Sequence, residues 1–243
     1  MKRKTHVYIF GIGSGIGEGL YRRFESEKKP ETQVFGFSRK GTKDLSTFSI
    51  REEGTYHWDA KNPTHFQTFQ NKLKECYAKE TKDLVSPVSA VVYFALGDGV
   101  FGPIEDLLDS DLRAHLELNV ESLIKLSRVF APILPTLDAS TFVFLGSTAG
   151  KQGFPESVAY CASKHAVLGI SRALREEWKP FGTKVVHVSL GAVATEIWDT
   201  RPAFDKKDMI SISDISEYLW SISHLPKSIF VDDLSITPKK GIL

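Results

Sequence analysis

Several features that define common protein classes are scarce in this sequence of 243 residues. Cysteine occurs only as Cys76 and Cys161, which excludes a disulfide-rich scaffold and is typical of a reducing compartment. Lysine and arginine outnumber aspartate and glutamate by only 31 to 30, so the net charge of +1 gives no electrostatic argument for a nucleic-acid partner. The seven histidines do not show the spacing of a metal site, and we expect no metal.

Long apolar runs are also missing from the sequence. No window approaches the roughly 18 apolar residues that a membrane-spanning helix needs. Lys2, Arg3 and Lys4 precede an apolar stretch, but glycines interrupt it after residue 10, and a signal peptide needs an apolar core of about 7–15 residues. We therefore expect a cytoplasmic protein without a membrane partner.

Short apolar runs alternate with longer amphipathic segments along the whole chain. Runs rich in β-branched and aromatic residues predict strands, and apolar residues three or four positions apart predict helices. This alternation is typical of a parallel, doubly wound α/β sheet with helices on both faces, and the absence of repeats and linkers predicts one domain over residues 1–243. Strands are expected at 5–10, 33–38, 55–58, 88–94, 141–145, 184–190 and 228–236, and helices at 16–27, 63–82, 110–134 with Ser110 as N-cap, 158–179 and 213–223.

Glycines cluster between the first predicted strand and the first predicted helix. Gly11, Gly15 and Gly17 form the pattern G-x-x-x-G-x-G, whereas the patterns G-x-G-x-x-G and G-x-x-x-x-G-K-S/T do not fit. Glycines allow a tight turn and a close approach of the backbone to a ligand, and the start of a helix offers free N–H groups to an anion. The pattern predicts a phosphate-binding turn, and the alternative is a flexible turn without a ligand.

The end of the second predicted strand carries basic residues in place of an acid. The sequence there is Ser38-Arg39-Lys40, and the next acid, Asp44, comes several positions later. An acid at this position binds the ribose 2′-hydroxyl of NAD, whereas the planar fork of an arginine suits the 2′-phosphate of NADP. The sequence predicts NADP(H) with Arg39 as the main contact, assisted by Ser38 and Lys40, and the alternative is a solvated basic loop.

Tyr160 and Lys164 lie four positions apart at the start of a predicted helix and therefore share a face. A lysine ammonium near a phenol lowers the tyrosine pKa from about 10 towards the range in which a general acid or base works. Ser147 follows the fifth predicted strand, where its hydroxyl can hold a carbonyl or an alcohol oxygen. Because Tyr-x-x-x-Lys pairs are common by chance, a surface pair without a function is the alternative.

Taken together, these motifs resemble those of the short-chain dehydrogenase/reductase family over nearly the whole chain. Residues 10–17 resemble the family turn T-G-x-x-x-G-x-G, and residues 146–150 and 160–164 resemble the active-site stretch. The interval of 13 positions from Ser147 to Tyr160 is the family's usual one. Asn119 resembles the family's helix asparagine, Asp59 resembles the aspartate that meets the adenine ring, and residues 191–195 resemble the segment P-G-x-V-x-T.

The resemblance implies a three-layer Rossmann fold and an NADPH-dependent oxidoreductase that reduces a ketone or aldehyde to an alcohol, or the reverse. It implies that Tyr160 exchanges a proton with the substrate oxygen while Ser147 holds that oxygen. It further implies that Lys164 binds the nicotinamide ribose and lowers the pKa of Tyr160, and that Asn119 anchors a water in a proton relay. The implied cofactor contacts are Gly11, Gly13, Ser14, Gly15, Ile16, Gly17, Ser38, Arg39, Lys40, Asp59, Ala95, Gly97, Tyr160, Lys164, Gly191, Val193 and Thr195.

The same resemblance implies a cofactor half at about residues 1–135, a catalytic and substrate half at about residues 136–243, and a homodimer or homotetramer. The chain departs from the family pattern where Phe10 replaces a threonine, where residues 94–97 read F-A-L-G for N-N-A-G, and where Leu190 replaces a proline. None of these departures removes a reacting group.

Two other functions remain open from the sequence, a non-catalytic NADP(H)-sensing protein and an epimerase or dehydratase. A sensor has no need of the Tyr160 and Lys164 pair. An epimerase or dehydratase usually needs a longer chain with a separate substrate lobe. The segment over the substrate, expected at about residues 196–212, is short, and Trp198 within it either contacts the substrate or only packs. Cys161 is expected to pack a helix without acting as a nucleophile, because it has no paired base in the sequence.

Overall fold

A computed structural model describes residues 4–27, 29–83, 87–199, 201, 203–226 and 228–241. Their strands form one parallel sheet in the order β3-β2-β1-β4-β5-β6-β7. The strands are β1 (Lys4–Phe10), β2 (Thr32–Ser38), β3 (Gly54–His57), β4 (Val88–Phe94), β5 (Ala139–Leu145), β6 (Lys184–Leu190) and β7 (Asp233–Ile236). The α-helices are α1 (Gly15–Ser26), α2 (Pro63–Asp83), α3 (Asp109–Leu116), α4 (Ser122–Phe130), α5 (Val158–Trp178) and α6 (Ile212–Ile222).

This architecture confirms the predicted doubly wound α/β fold. The strand order reverses direction between β1 and β4, which is where folds of the Rossmann type place a ligand. Each side of the sheet carries its own apolar core, since successive strand residues point to opposite faces. Tyr8 and Phe10 face an aromatic core under α2, α4 and α5, whereas Val7 and Ile9 face a more aliphatic core under α1 and α6.

Two predicted boundaries are wrong. The helix expected at 110–134 is divided into α3, a π-helical segment (Glu117–Glu121), α4 and a 3-10 turn (Ala131–Thr136) that contains prolines, which cannot donate the next helical hydrogen bond. The N-cap position is taken by Leu108, so Ser110 lies inside α3 and is not the cap. The last strand, expected at 228–236, begins only at Asp233, where its pairing with His187 of β6 starts.

The sequence also leads to expectations about the cysteines, the length of the apolar helices and the grouping of metal-binding residue types. Cys76 and Cys161 are unpaired and half-buried. Within the part of the chain that the structure describes, no helix is long and apolar enough to cross a bilayer, and no cluster of three or more His, Cys, Asp or Glu could hold a metal ion.

Candidate active site

The carboxyl ends of the central strands carry most of the residues that the motifs single out. Gly11 follows β1, Ser38 ends β2, Ala95 follows β4, Ser147 follows β5 and Gly191 follows β6. Because all strands run in parallel, these residues meet along one edge of the sheet.

The glycine turn, residues 11–17, is packed so tightly that two positions leave no room for a side chain. A Cβ at Gly11 would lie 2.3 Å from the carbonyl oxygen of Ala95, and Gly11 has a positive φ of 98°. A Cβ at Gly17 would lie 2.3 Å from the carbonyl oxygen of Gly11. At Gly13 the nearest atom would be the Ser38 Cβ at 3.6 Å, an ordinary contact. The turn therefore requires glycine at Gly11 and Gly17 for steric reasons, and at Gly13 it does not.

Helix α1 begins at this turn without a side-chain cap. Ser14 occupies the N-cap position with extended backbone, and its hydroxyl makes no hydrogen bond to the first turn of the helix. The half-buried side chain of Ile16 packs against the aliphatic core. A helix start of this kind leaves backbone N–H groups for an anion.

The tip of β2 contacts the glycine turn through Lys40. Its ammonium donates a hydrogen bond to the carbonyl oxygen of Gly13 at 2.8 Å, and its backbone N–H donates to the Ser38 hydroxyl at 3.2 Å. Arg39 is exposed, and its guanidinium makes no ion pair with any described carboxylate. Asp59, beyond β3, uses one carboxylate oxygen to accept the backbone N–H of Lys61 at 3.0 Å. The tip therefore presents an unpaired arginine beside the turn.

Asn119 ties the loop after β4 to the π-helical segment. It is 1% exposed, and its Oδ1 accepts the backbone N–H of Asp98 at 2.9 Å while its Nδ2 donates to the Asp98 carbonyl at 2.8 Å. A Cβ at Gly97 would lie 3.3 Å from Asn119 Oδ1 and 3.4 Å from Lys164 Nζ. The loop at Gly97 therefore passes between Asn119 and Lys164.

His115 is a buried neighbour of Asn119 that the motifs do not single out. Its Nε2 lies 3.0 Å from Ser163 Oγ, and Asn119 Nδ2 lies 3.0 Å from the same nitrogen. Burial and, to a lesser degree, the nearby Lys164 lower the pKa of His115, which favours a neutral ring. Its position four residues before Asn119 on one predicted helix is the only clue that the sequence offers.

Lys164 lies in the second turn of α5 and is almost fully buried, with 7% of its surface exposed. Its ammonium donates to the Leu145 carbonyl at 3.3 Å and lies 5.6 Å from the centroid of the Tyr160 ring. Burial lowers the pKa of Lys164 to about 8, because the charged form loses its hydration.

The expectation that Lys164 lowers the pKa of Tyr160 is wrong for this structure. Burial of the phenol raises the pKa of Tyr160, and the nearby Ser147 hydroxyl opposes that rise only in part. The reason is that the phenolate loses its hydration when the side chain is buried. Ser147 also caps the short turn after β5, since its Oγ accepts the backbone N–H of Ala149 at 3.1 Å.

The segment after β6 reaches across to the glycine turn. The methyl carbon of Thr195 would lie 3.3 Å from a Cβ placed on Gly15. Val193 is buried and pairs through its backbone with Ile210, and Gly191 donates its N–H to the Ile236 carbonyl at 2.8 Å. Thr195 therefore lies beside the predicted phosphate site.

Tyr160 contacts an aromatic side chain of the loop after β4, and a second aromatic contact lies within the segment after β6. The Phe101 ring lies 5.1 Å from the Tyr160 ring, centroid to centroid, and the Trp198 ring lies 5.2 Å from that of Phe204. Within the segment expected at 196–212, residues 200 and 202 lie outside the described residues. The contact between Trp198 and Phe204 leaves both interpretations of Trp198 open.

A family model described as short chain dehydrogenase matches residues 5–206. The NADPH-dependent 3-dehydrocapnine reductase of Ornithobacterium rhinotracheale is 28% identical over 197 residues, covering 79% of this chain and 67% of that protein. The 17-beta-hydroxysteroid dehydrogenase type 1 of Homo sapiens is 27% identical, covering 89% and 66%. The NADPH-dependent 1-acyldihydroxyacetone phosphate reductase of Saccharomyces cerevisiae is 32% identical, covering 60% and 47%. The chain thus spans between 47% and 67% of the length of these relatives.

Solved structures share the fold over nearly the whole chain. An alcohol dehydrogenase from the archaeon Thermococcus sibiricus, complexed with 5-hydroxy-NADP, has a TM-score of 0.76 at 20% identity and covers 98% of this chain and 97% of its own. A variant of the actinorhodin polyketide ketoreductase with NADPH has a TM-score of 0.71 at 20% identity and covers 96% and 95%. At such low identity these likenesses concern the fold alone.

Proposed function

The chain belongs to the short chain dehydrogenase family, and on that premise we propose that it is an NADPH-dependent oxidoreductase acting on the carbonyl group of a ketone or aldehyde, or on the corresponding alcohol. The observation that carries the proposal is the convergence of Tyr160, Ser147 and Lys164 beside the glycine turn. The Lys164 ammonium lies 5.6 Å from the centroid of the Tyr160 ring, and it donates to the carbonyl of Leu145, two residues before Ser147. A proton donor, an oxygen-binding hydroxyl and a buried cation are the groups that carbonyl reduction needs.

The residues of the glycine turn fit a dinucleotide phosphate. The close packing at Gly11 and Gly17, where a Cβ would overlap a backbone carbonyl oxygen, keeps the turn tight, and the uncapped start of α1 leaves backbone N–H groups for a phosphate. Exposed Arg39 supports a 2′-phosphate and therefore NADP(H), as do the relatives described as NADPH-dependent. We propose that the cofactor contacts predicted from the sequence are those of this chain, with Ile16 contributing its backbone, and that NADP(H), when bound, supplies or accepts the hydride.

Tyr160 is the proposed proton donor. Because burial raises the pKa of its phenol, the hydroxyl keeps its proton at neutral pH and can give it to the substrate oxygen during reduction. The Ser147 hydroxyl holds the same oxygen through a hydrogen bond and so stabilises the negative charge that develops on it.

Lys164 and Asn119 would restore the proton to Tyr160. With a pKa of about 8, the Lys164 amine both holds and releases a proton near neutral pH, as a relay requires. Asn119 fixes the loop at Asp98 through two hydrogen bonds and would anchor the relay water. His115 and Ser163 hold the Asn119 amide from the other side.

We also propose that the protein is cytoplasmic and that it self-associates as a homodimer or homotetramer. Ile124 on α4 is 44% exposed and Val158 at the start of α5 is 56% exposed, and apolar side chains of this kind favour a protein contact. Light scattering of the purified protein measures the oligomeric state directly, and a monomer at micromolar concentration would contradict this part of the proposal.

The experiment for the main proposal measures cofactor binding and turnover separately. Calorimetric titration with NADPH and NADH is expected to show tighter binding of NADPH, and NADPH oxidation is then followed with a panel of ketones, aldehydes and quinones. Turnover on at least one carbonyl class supports an oxidoreductase. Tight NADPH binding without turnover on any of them would favour a sensor, and equal affinity for both cofactors would contradict the NADP(H) assignment.

A further inference from the structure

Arg201 lies between two phenylalanine rings next to the proposed proton donor. Its guanidinium carbon is 4.6 Å from the centroid of the Phe101 ring and 5.1 Å from that of Phe204. Cation–π contacts of this kind attract the guanidinium to the rings without forming a hydrogen bond. They hold the side chain in place without using its N–H groups, which lie in the plane of the guanidinium.

The positive charge of Arg201 is not neutralised by its described neighbours. None of the carboxylates that the structure describes lies within 4.0 Å of its guanidinium, and none of the hydrogen bonds formed by the described residues uses its side chain. The two nearby acids on the same segment are engaged elsewhere. Asp199 pairs with Lys206, and Asp205 accepts the backbone N–H of Lys207. The half-buried Arg201 thus keeps free N–H donors.

One aromatic ring separates this arginine from Tyr160. The Phe101 ring that packs against Arg201 also packs against the Tyr160 ring at 5.1 Å between centroids. Because both side chains contact the same ring, a ligand held by Tyr160 does not have to extend far to reach the guanidinium of Arg201. The two groups can contact the same ligand when it is several bonds long.

We propose that Arg201 binds an anionic group of the substrate, so that the preferred substrates are carbonyl compounds carrying a carboxylate, sulfonate or phosphate a few bonds from the reacting carbon. This inference rests on the proposed reductase function. A planar guanidinium with free in-plane donors matches such oxyanions through two parallel hydrogen bonds, and a lysine ammonium does not reproduce that geometry. The Phe101 ring, which contacts both Arg201 and Tyr160, adds an apolar surface for the body of the substrate.

The test uses aromatic aldehydes of nearly equal size that differ in charge. NADPH oxidation is measured with 4-formylbenzoate, 4-formylbenzenesulfonate and 4-formylphenyl phosphate, and with the neutral methyl 4-formylbenzoate. The wild-type protein is expected to show kcat/KM values about tenfold or more higher for at least one anionic aldehyde than for the ester. The aldehyde with the highest kcat/KM shows whether the site prefers a carboxylate, a sulfonate or a phosphate.

Three variants separate anion binding from packing and from general charge. R201Q is expected to lose about tenfold or more in kcat/KM on the favoured anionic aldehyde and to stay within about twofold of wild type on the ester. R201K keeps the charge without the planar fork, and its kcat/KM on the anionic aldehyde is expected to lie between those of R201Q and the wild type. K207Q removes one positive charge from an exposed position of the same segment and is expected to change neither value.

A binding measurement makes the result independent of turnover. Calorimetry with 4-(hydroxymethyl)benzoate on the NADPH complex is expected to show binding that R201Q weakens by about tenfold. Equal losses by R201Q on charged and neutral aldehydes, or equal wild-type rates on both, would overturn the assignment. If NADPH binds but no aldehyde is reduced, the reductase proposal fails, and the binding measurement alone decides whether Arg201 holds an anion.

Discussion

The glycine turn at residues 11–17 and the tyrosine cluster, formed by Asn119, Ser147, Tyr160 and Lys164, lie along the same edge of the sheet but depend on different physical effects. The turn is made of backbone, and its essential feature is the absence of two Cβ atoms at Gly11 and Gly17. The cluster is made of side chains whose chemistry is set by burial, which moves the pKa values of Tyr160 and Lys164 in opposite directions.

This difference determines how each region responds to change. A substitution in the turn acts through steric overlap, so we expect it to alter stability and cofactor binding with little dependence on pH. A substitution in the tyrosine cluster removes a proton or a charge from a buried place, so we expect it to alter turnover and the pH dependence of stability while the fold persists.

The largest expected effect tests the chemistry of the tyrosine cluster. Tyr160→Phe removes the proposed proton donor and keeps the ring that packs against Phe101 at 5.1 Å. Since general acid catalysis contributes about 10²–10⁴-fold, we expect kcat/KM for carbonyl reduction to fall by about that factor. Steady-state NADPH oxidation measures the loss, and NADPH affinity by calorimetry is the control. Retained activity would contradict the role of Tyr160.

The second prediction concerns Lys164 and the sign of a pH effect. Its pKa is about 8 in the folded protein against an ordinary value of 10.5, so the unfolded chain binds more protons between these values. The free energy of unfolding therefore rises with pH across that window, by at most about 1.4 kcal/mol per pH unit for this group.

Lys164→Met removes this group. The unfolding free energy of the wild type minus that of the variant should therefore become more positive from pH 8 towards pH 10.5. Urea unfolding at several pH values measures it, and the tyrosines with raised pKa values affect both proteins alike. A difference that stays constant with pH would show that burial does not lower the pKa of Lys164.

The same contrast explains what the sequence could and could not predict. The fold and the glycine turn were predictable because the spacing of apolar residues, the alternation of strands with helices and the positions of glycines can be read directly from the sequence. The pKa of Tyr160 was predicted in the wrong direction, because spacing along a helix gives the distance to Lys164 but not the extent of burial. His115 contacts Ser163, which lies 48 positions away, and such a contact exists only in the folded chain.

A third prediction sharpens the steric side of the comparison with two matched glycines. Gly17→Ala places a Cβ 2.3 Å from the Gly11 carbonyl oxygen, whereas Gly13→Ala meets only an ordinary contact at 3.6 Å. We expect Gly17→Ala to lower the free energy of unfolding by about 1–3 kcal/mol. Gly13→Ala should change it by less than about 0.5 kcal/mol. Urea unfolding at neutral pH measures both, and equal losses would contradict the packing described for the turn.

The smallest expected effect concerns a positive charge that lies beside the turn. Arg39→Gln removes the exposed guanidinium at the tip of β2 and leaves the contact between Lys40 and the Gly13 carbonyl in place. We expect NADPH affinity to fall by about tenfold, since a charge-assisted hydrogen bond to phosphate is lost, and NADH affinity to change by less than about twofold. Arg22→Gln, which removes the same charge from the exposed pair with Glu18 on α1, is the matched control and should change neither affinity. Equal weakening of both cofactors by Arg39→Gln would mean that Arg39 supports the turn as a whole. The glycine turn would then depend on charge as well as on steric fit, and the contrast with the tyrosine cluster would be weaker.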